Sequence, residues 1–410
     1  MKRRTVMLTI AAAAAGVTTA QFWPREGMRN PCLEGPLPKE LAQHDVVQQA
    51  WQGVDAAKVW DGHVHLLGAG HGNTGTWINP QMQSLQHPIQ SVQRLFYLNA
   101  ACIDDEQNLD ASYLRQLNQR LADFPKAARF VLLAFDYFYN DKGQAEPEHS
   151  AFYVPNDYAA RVAQAHPRLE WMASIHPYRH DAVDELHNVV RRGARGIKWV
   201  PAAMGMDPAS PLCDPFYEAL AQHDLPLLVH VGTERAVTGS DQQDLGNPLR
   251  LRRALDHGVR VAAAHSASLG SSVDMDVGAN GPERSSFELF VRLMEEARYE
   301  GQLFGEISTL TQVDRVEPAL KVLLSRPQWH ARLVNGSDYP LPGVMPLFSP
   351  RRLVAAGYLD AAVAPVLSRI RRYNVLLFDF VLKRHVRWRG RGFSAAVFES
   401  RRFYGPRKAI

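Results

Sequence analysis

The segment KVWDGHVHLL, residues 58–67, places two histidines two positions apart within a largely apolar run. Side chains alternate across a β-strand with a period of two, so His63 and His65 project from the same face if this segment is a strand. Two imidazoles on one rigid element hold their nitrogen atoms at a fixed separation. The segment therefore predicts a strand that carries two candidate metal ligands near its end.

Seven further apolar runs of strand length follow, with segments of helical periodicity between them. Several of these helices begin at Asp, Asn or Ser and end near Gly, as helix caps prefer. Eight alternating strands and helices predict an α/β fold, a (β/α)₈ TIM barrel that forms a single catalytic domain with its chemistry at the carboxyl ends of the strands. The predicted strands cover residues 58–67, 129–136, 170–177, 195–201, 226–232, 260–267, 303–309 and 332–340.

Polar side chains close several of these predicted strands. His230 ends the run PLLVH, His265 ends VAAAH and Asp338 ends LVNGSD. With His63 and His65 they would meet in one bowl, and three or four such groups around an open position suit a catalytic divalent metal ion. A lone histidine at a strand end is more often a hydrogen-bonding core residue, so the prediction depends on the whole set. Structural roles are expected for the histidines in predicted helices or loops, namely His87, His149, His166, His180, His187, His223, His257, His330 and His385.

Two further residues end predicted strands that face the same bowl. His176 lies in SIHP and Glu306 lies in GEIST. For both side chains, contact with a substrate and hydrogen bonding to a metal ligand are equally open alternatives.

The formal net charge of the 410 residues is +4, and the positive charge is concentrated near the carboxyl end. Residues 383–410 contain nine Lys or Arg against one acidic residue, Glu399. Interleaved with Trp388 and Phe393, these cations could contact an anionic membrane surface or a partner subunit. The alternative is a solvated or self-packed extension. Nucleic acid is not an expected partner.

The first twenty residues read as an export signal. Arg3 and Arg4 precede the weakly apolar run VMLTIAAAAAGV, and small residues precede Gln21. The arginine pair predicts a twin-arginine-like signal and a periplasmic protein, with a membrane-anchored or a cytoplasmic protein as alternatives. Three scattered cysteines allow at most one disulfide.

The predicted organisation has four parts. Residues 1–20 form the signal and residues 21–57 an N-terminal extension, residues 58–382 form the metal-dependent barrel, and residues 383–410 form a basic tail. The first connection of the barrel, residues 68–127, is long enough to cover or shape a site.

Six motifs follow one another along the chain, in the order DGHVH, GIKWVP, LPLLVHVG, VAAAHS, VNGSDYP and YNVLLFDF. They resemble the ordered signature of the amidohydrolase superfamily, in particular the branch that includes aminocarboxymuconate semialdehyde decarboxylase and related metal-dependent hydrolases. The resemblance covers roughly residues 58–380 and implies a barrel that holds one divalent ion, zinc first, with manganese or iron as alternatives. It places His265 in the acid/base position and gives Asn374 a structural role. The implied metal ligands are His63, His65, His230 and Asp338.

Lys198 lies at a strand where other members of the superfamily carry a carboxylated lysine that bridges two metals. A lysine in this motif also occurs in relatives with one metal. One ion is therefore expected and two are the alternative, and Lys198 is also a candidate for substrate contact.

These residues predict metal-dependent hydrolysis of a C–N or C–O bond in an amide, ester or lactone. A divalent ion lowers the pKa of a bound water to about 7, Asp338 could carry its proton, and His265 could act on the substrate carbonyl. Non-oxidative decarboxylation of an aromatic or unsaturated carboxylic acid is the alternative reaction. A non-catalytic barrel that binds metal and ligand is the alternative outside enzymes. The expected partners are a small-molecule substrate and a second copy of the chain in a homodimer.

Overall fold

The computed structural model describes residues 27–32, 34–237 and 242–405. The predicted export segment, residues 1–20, and the last five residues of the basic tail lie outside the described residues.

Eight parallel strands form the centre of the fold, as the sequence predicts. The strands are β1 Trp60–His65, β2 Arg129–Leu133, β3 Leu169–Met172, β4 Ile197–Trp199, β5 Leu227–His230, β6 Val261–Ala264, β7 Leu303–Glu306 and β8 Leu333–Val334. β1 to β3 form one sheet in the order β1-β2-β3, and β4 to β8 form a second in the order β8-β7-β6-β5-β4. A parallel bridge between Ala173 and Ile197 joins β3 to β4, and one between Val64 and Tyr339 joins β1 to the segment after β8. With these two bridges the eight strands have the arrangement of a (β/α)₈ barrel.

Helices pack around this ring by their apolar faces. In the helix that precedes β7, Phe287, Phe290, Leu293 and Met294 recur at helical spacing, and all four are buried. Asn374 caps another helix by accepting a hydrogen bond from Leu377 N at 2.9 Å, the structural role expected for it. The α-helices are Lys39–Ala42, Asp45–Trp51, Pro88–Ala100, Leu109–Leu121, Asn156–Ala165, Ala182–Arg191, Pro201–Met204, Asp214–Gln222, Arg252–Asp256, Ser286–Glu295, Ala319–Ser325, Pro350–Ala355, Val363–Tyr373, Val375–His385, Ala395–Phe398 and Arg401–Tyr404.

The segment expected to be a basic tail is part of the barrel domain. The expected boundary after residue 382 falls inside the helix Val375–His385, where Lys383 is fully buried and pairs with Asp379 at 2.6 Å. Phe403 and Tyr404 join the cluster of side chains inside the barrel, with Phe403 4.9 Å from Phe304 between ring centroids. The described part of residues 383–410 therefore packs against its own domain, because its aromatic side chains complete the core.

The residues before the barrel are also tied to it. A disulfide joins Cys32 to Cys102, which lies in the long connection after β1, and Cys213 is a free, buried thiol. Trp51 stacks on Phe380 with 4.3 Å between ring centroids. The part of the N-terminal extension that the structure describes is thus fixed to the barrel at two points.

The long connection between β1 and β2 contains the helices Pro88–Ala100 and Leu109–Leu121. We refer to Pro88–Ala100 as the lid helix. The Tyr97 hydroxyl donates a hydrogen bond to Ala236 O, and Gln93 Nε2 donates to Arg235 O at 3.1 Å, so the lid helix is held to the loop after β5. This places it over the carboxyl ends of the strands, as expected for a covering element. None of the described helices combines the length and the apolar character needed to cross a bilayer.

Candidate metal centre

Three ligand-type atoms converge at the end of β1. His63 Nε2 lies 3.2 Å from His65 Nε2, and Asp338 Oδ1 lies 3.2 Å and 3.0 Å from these two nitrogens. The pleat of β1 sets both rings on one face. Asp338 reaches them because its backbone N donates to His63 O at 2.8 Å, in a left-handed conformation with φ of 59°. Sequence reasoning identified these three residues, and the structure brings them together.

Asp338 is charged in this setting. Burial acts to raise its pKa, but the His63 and His65 rings and the Lys198 ammonium outweigh burial and lower the pKa of Asp338 to about 2. Burial, followed by the charge of Lys198, holds the pKa of His63 well below its usual value. A neutral imidazole beside an ionised carboxylate is the protonation state that binds a divalent cation.

His230, at the end of β5, has one nitrogen bound and one free. Its Nδ1 lies 3.0 Å from Glu234 Oε2, whereas its buried Nε2 has no hydrogen-bond partner among the residues that the structure describes. Its ring lies 4.9 Å from that of His265 between centroids. A ring nitrogen left bare while a carboxylate holds the other is the arrangement of a metal-ligating histidine.

Glu234 was not identified from the sequence. Although burial raises its pKa, the His230 ring and the backbone amides of Ala236 and Val237 lower the pKa of Glu234 to about 2. Ala236 N and Val237 N donate to Glu234 Oε1 at 2.5 Å and 2.9 Å. Glu234 thus joins His230 to the loop that holds the lid helix. The one signal in the sequence is an acidic residue four positions after a strand-ending histidine.

Glu306 acts as a buried hydrogen-bond acceptor. It accepts from His265 N at 3.0 Å and from Ser308 N and Ser308 Oγ, both at 2.7 Å. Its Oε2 also lies 3.4 Å from His63 Nδ1. Of the two alternatives for Glu306, these contacts favour hydrogen bonding to a metal ligand over contact with a substrate.

His265 faces the same centre with its Nε2, which lies 3.9 Å from Asp338 Oδ2. Its Nδ1 lies 2.8 Å from Ser308 Oγ and 3.0 Å from Thr309 Oγ1. Because Ser308 Oγ donates its proton to Glu306, it accepts from His265 Nδ1, which leaves a lone pair on Nε2. Burial first, and then Arg315, His230 and His63, hold the pKa of His265 well below its usual value.

Lys198, on β4, also points into the centre. Its Nζ lies 3.4 Å from His63 Nε2, and its side chain is almost fully buried. Burial lowers the pKa of Lys198 to about 8, against the Asp338, Glu306 and Glu234 carboxylates, which raise it. Its amine is therefore within reach of the proposed ligands.

His176 is not among the residues whose side chains converge on this centre. Its Nε2 lies 3.0 Å from Met204 O, and its Nδ1 accepts from Tyr178 N at 3.2 Å. Both ring nitrogens are therefore bound to main-chain atoms, and the side chain is fully buried. His330 and His385, expected to be structural, likewise contact the carbonyls of Leu323 and Val46.

Arg315 is a second site residue that sequence reasoning missed. Arg315 is 6% exposed, and within residues 27–32, 34–237 and 242–405 no carboxylate forms an ion pair with it. Nη1 donates to Ser268 Oγ at 3.4 Å, and Nε has no hydrogen-bond partner in that part of the chain. Its charge acts on His265, Asp338 and Glu234. Carboxylates therefore lie near Arg315 but not in contact with it, and a buried cation that forms no ion pair with the described residues is costly, which points to an anionic ligand.

The donor set fits a divalent metal ion. His63, His65 and Asp338 place three donor atoms within 4.8 Å of one another. His230 Nε2 supplies a further buried donor atom, which has no hydrogen-bond partner in the part of the chain that the structure describes. Three imidazole nitrogens and one carboxylate oxygen form a ligand set typical of zinc and of similar ions.

A family model described as amidohydrolase matches residues 60–344. This span covers all eight strands and contains His63, His65, His230, His265 and Asp338. No curated protein matches the chain.

Solved structures with a similar fold share little sequence with this chain. A TIM-barrel protein from Bordetella bronchiseptica is 14% identical, with 69% of this chain and 86% of that chain covered and a TM-score of 0.45. A probable 2-pyrone-4,6-dicarboxylic acid hydrolase from Acinetobacter baumannii is 14% identical, with 69% and 84% covered and a TM-score of 0.41. A manganese-bound 5-carboxyvanillate decarboxylase from Novosphingobium aromaticivorans is 14% identical, with 77% and 94% covered and a TM-score of 0.42.

Proposed function

We propose that this chain, which belongs to the amidohydrolase family, is a metal-dependent hydrolase that cleaves a C–N or C–O bond in an amide, ester or lactone. The observation that carries the proposal is the convergence of His63 Nε2, His65 Nε2 and Asp338 Oδ1 within 3.2 Å of one another. The bare Nε2 of His230 supports it.

The protein groups around the centre suit the activation of water. A divalent ion held by the three histidines and Asp338 would lower the pKa of a water molecule to about 7. Asp338 Oδ2 and His265 Nε2 are both acceptors, 3.9 Å apart, so a water in contact with both would be oriented by two hydrogen bonds. His265 is placed to take a proton, because Ser308 and Thr309 hold its other nitrogen.

We propose zinc as the ion, since nitrogen donors outnumber oxygen donors in this set and tetrahedral zinc sites commonly combine histidine with one carboxylate. Manganese and iron are the alternatives, and imidazole ligands also accommodate iron.

Decarboxylation is a second candidate, and Arg315 is compatible with it because it could bind a carboxylate substrate. A buried guanidinium that forms no ion pair with a described carboxylate would bind the carboxylate of a substrate, held near His265. An acid bound in this way could lose carbon dioxide, or it could carry its carboxylate as a handle while a neighbouring ester or lactone is hydrolysed.

A substrate screen separates the two reactions. We expect metal-loaded protein to acidify solutions of a lactone or an ester, to release an amine from an amide, detected by chromatography, and to release no carbon dioxide from aromatic carboxylates. Acid release is measured by titration and carbon dioxide by headspace analysis, with metal-stripped protein as the control. Release of carbon dioxide without acidification would replace hydrolysis by decarboxylation.

We also propose export to the periplasm by the twin-arginine-like start. The Cys32–Cys102 disulfide supports this, because structural disulfides persist in oxidising compartments. Replacing Arg3 and Arg4 together by Lys is expected to leave precursor in the cytoplasm, measured by cell fractionation and immunoblotting. Periplasmic protein at the unchanged level would contradict the proposal.

A further inference from the structure

Two apolar cavities lie between the lid helix and the candidate metal centre. The near cavity, of ≈ 50 Å³, is bounded on one side by His65 and Asp338, and its other lining residues include Leu67, Tyr97 and Phe152. The far cavity, of ≈ 40 Å³, shares Leu67, Tyr97 and Phe152 with it. These three side chains therefore form a wall common to the two cavities, and the far cavity lies on the side of this wall away from the proposed ligands.

The far cavity continues the apolar character of the near one. Ile78, Leu98 and Val154 contribute to its lining. The one charged residue there is Arg94, whose Nη2 pairs with Glu106 Oε2 at 2.9 Å. The lining of the far cavity therefore offers mainly hydrophobic contacts to a ligand.

Tyr97 fixes the position of the shared wall. Its hydroxyl donates to Ala236 O, so the side chain is held at one end by the loop after β5 while it lines both cavities. Burial, with added effects of the Glu234 and Asp338 carboxylates, raises the pKa of Tyr97, so the donor keeps its proton. The near cavity is thus bounded by an aromatic face that is tied to the loop bearing Glu234.

We infer that the two cavities bind a hydrophobic group of the substrate, an alkyl or aryl substituent next to the bond that is cleaved. This inference rests on the proposed function, since it takes the reacting group to lie at His65 and Asp338. A water-sized group occupies roughly 10–15 Å³ of such volume, so each cavity holds about three carbon atoms. The preferred substituent is therefore short, about three carbons for the near cavity alone and about six for a group that passes the shared wall and fills both.

The test uses binding rather than turnover. Straight-chain hydroxamic acids carry a metal-chelating head and an alkyl tail of adjustable length. For metal-loaded protein, we expect titration calorimetry to show affinity rising about fourfold per methylene up to about six chain carbons, and then levelling off. Affinity that does not depend on chain length, or that rises without a limit, would overturn the inference.

A matched pair of variants locates the binding. Ile78→Phe narrows the far cavity. For this variant, we expect the longer hydroxamic acids to bind only slightly more tightly than acetohydroxamic acid does. Ile89→Phe is the control, because Ile89 is 70% exposed on the outer face of the lid helix, and it should keep the wild-type dependence on length. Equal behaviour of the two variants would overturn the inference.

The outcomes for the two proposals are separable. An affinity that depends on tail length, without turnover of any ester, lactone or amide, would support binding of a hydrophobic group in the two cavities and contradict hydrolysis. Turnover with an affinity that is independent of tail length would contradict only the binding of a hydrophobic group in the cavities.

Discussion

His230→Ala is expected to yield a folded barrel that has lost its metal and its turnover. The Nε2 of His230 is buried and has no hydrogen-bond partner among the described residues, while Glu234 holds Nδ1 at 3.0 Å. Loss of an orienting partner alone typically costs 10- to 100-fold in metal affinity, and loss of the ligand itself should cost more than about 100-fold. Metal content by elemental analysis, turnover and circular dichroism measure the three properties.

His330→Ala is the matched control for this change. His330 is 3% exposed and His230 is 4% exposed, but both nitrogens of His330 are occupied, by Leu323 O and by Ser394 N. We expect His330→Ala to lower stability and to leave metal content unchanged. If His230→Ala keeps full metal occupancy and full turnover, the proposed metal centre is wrong.

Glu234→Gln provides a graded version of the same experiment. The amide keeps the size of the side chain and removes its charge. His230 therefore stays in place as a ligand but loses its charged hydrogen-bond partner. The metal affinity should fall by about 10- to 100-fold, less than for His230→Ala.

The eight strands were predictable because each is an apolar run bounded by turn residues. The residues at which the strands end were less predictable. The last predicted strand covers residues 332–340, whereas β8 ends at Val334 because the chain then turns to bring Asp338 against β1 with a positive φ. Such a turn depends on contacts with β1, which is distant in sequence. Alternation within one strand cannot indicate it.

The candidate ligands were predictable because each follows an apolar run, but the residues that orient them were not. Glu234 and Ser308 lie in loops, and their partners are chosen by the packing of several strands. His176 also follows an apolar run, but both of its ring nitrogens contact main-chain atoms, which the sequence pattern does not indicate. A lysine in a basic segment is expected at the surface, yet Lys383 is buried and pairs with Asp379, one helical turn away.

His265→Ala is expected to separate turnover from metal binding. Ser308 and Thr309 hold its Nδ1, and its Nε2 faces Asp338 Oδ2 across 3.9 Å, a gap too wide for a direct hydrogen bond. We therefore propose that the imidazole acts on water or substrate, while its position beside His63 and Glu306 makes a ligand role the alternative that the variant tests. Metal content should stay near one equivalent, while kcat falls by about 10²-fold or more, as is usual for loss of an acid/base group.

Ser308→Ala is the companion variant, because it removes the acceptor for His265 Nδ1–H and leaves the imidazole in place. We expect a smaller fall in kcat than for His265→Ala, since Thr309 Oγ1 at 3.0 Å still contacts the ring. Metal loss in His265→Ala equal to that in His230→Ala would make His265 a ligand rather than a base. Unchanged kcat in His265→Ala with full metal content would exclude the residue from the reaction, and Asp338 would then be the remaining proton acceptor at the centre.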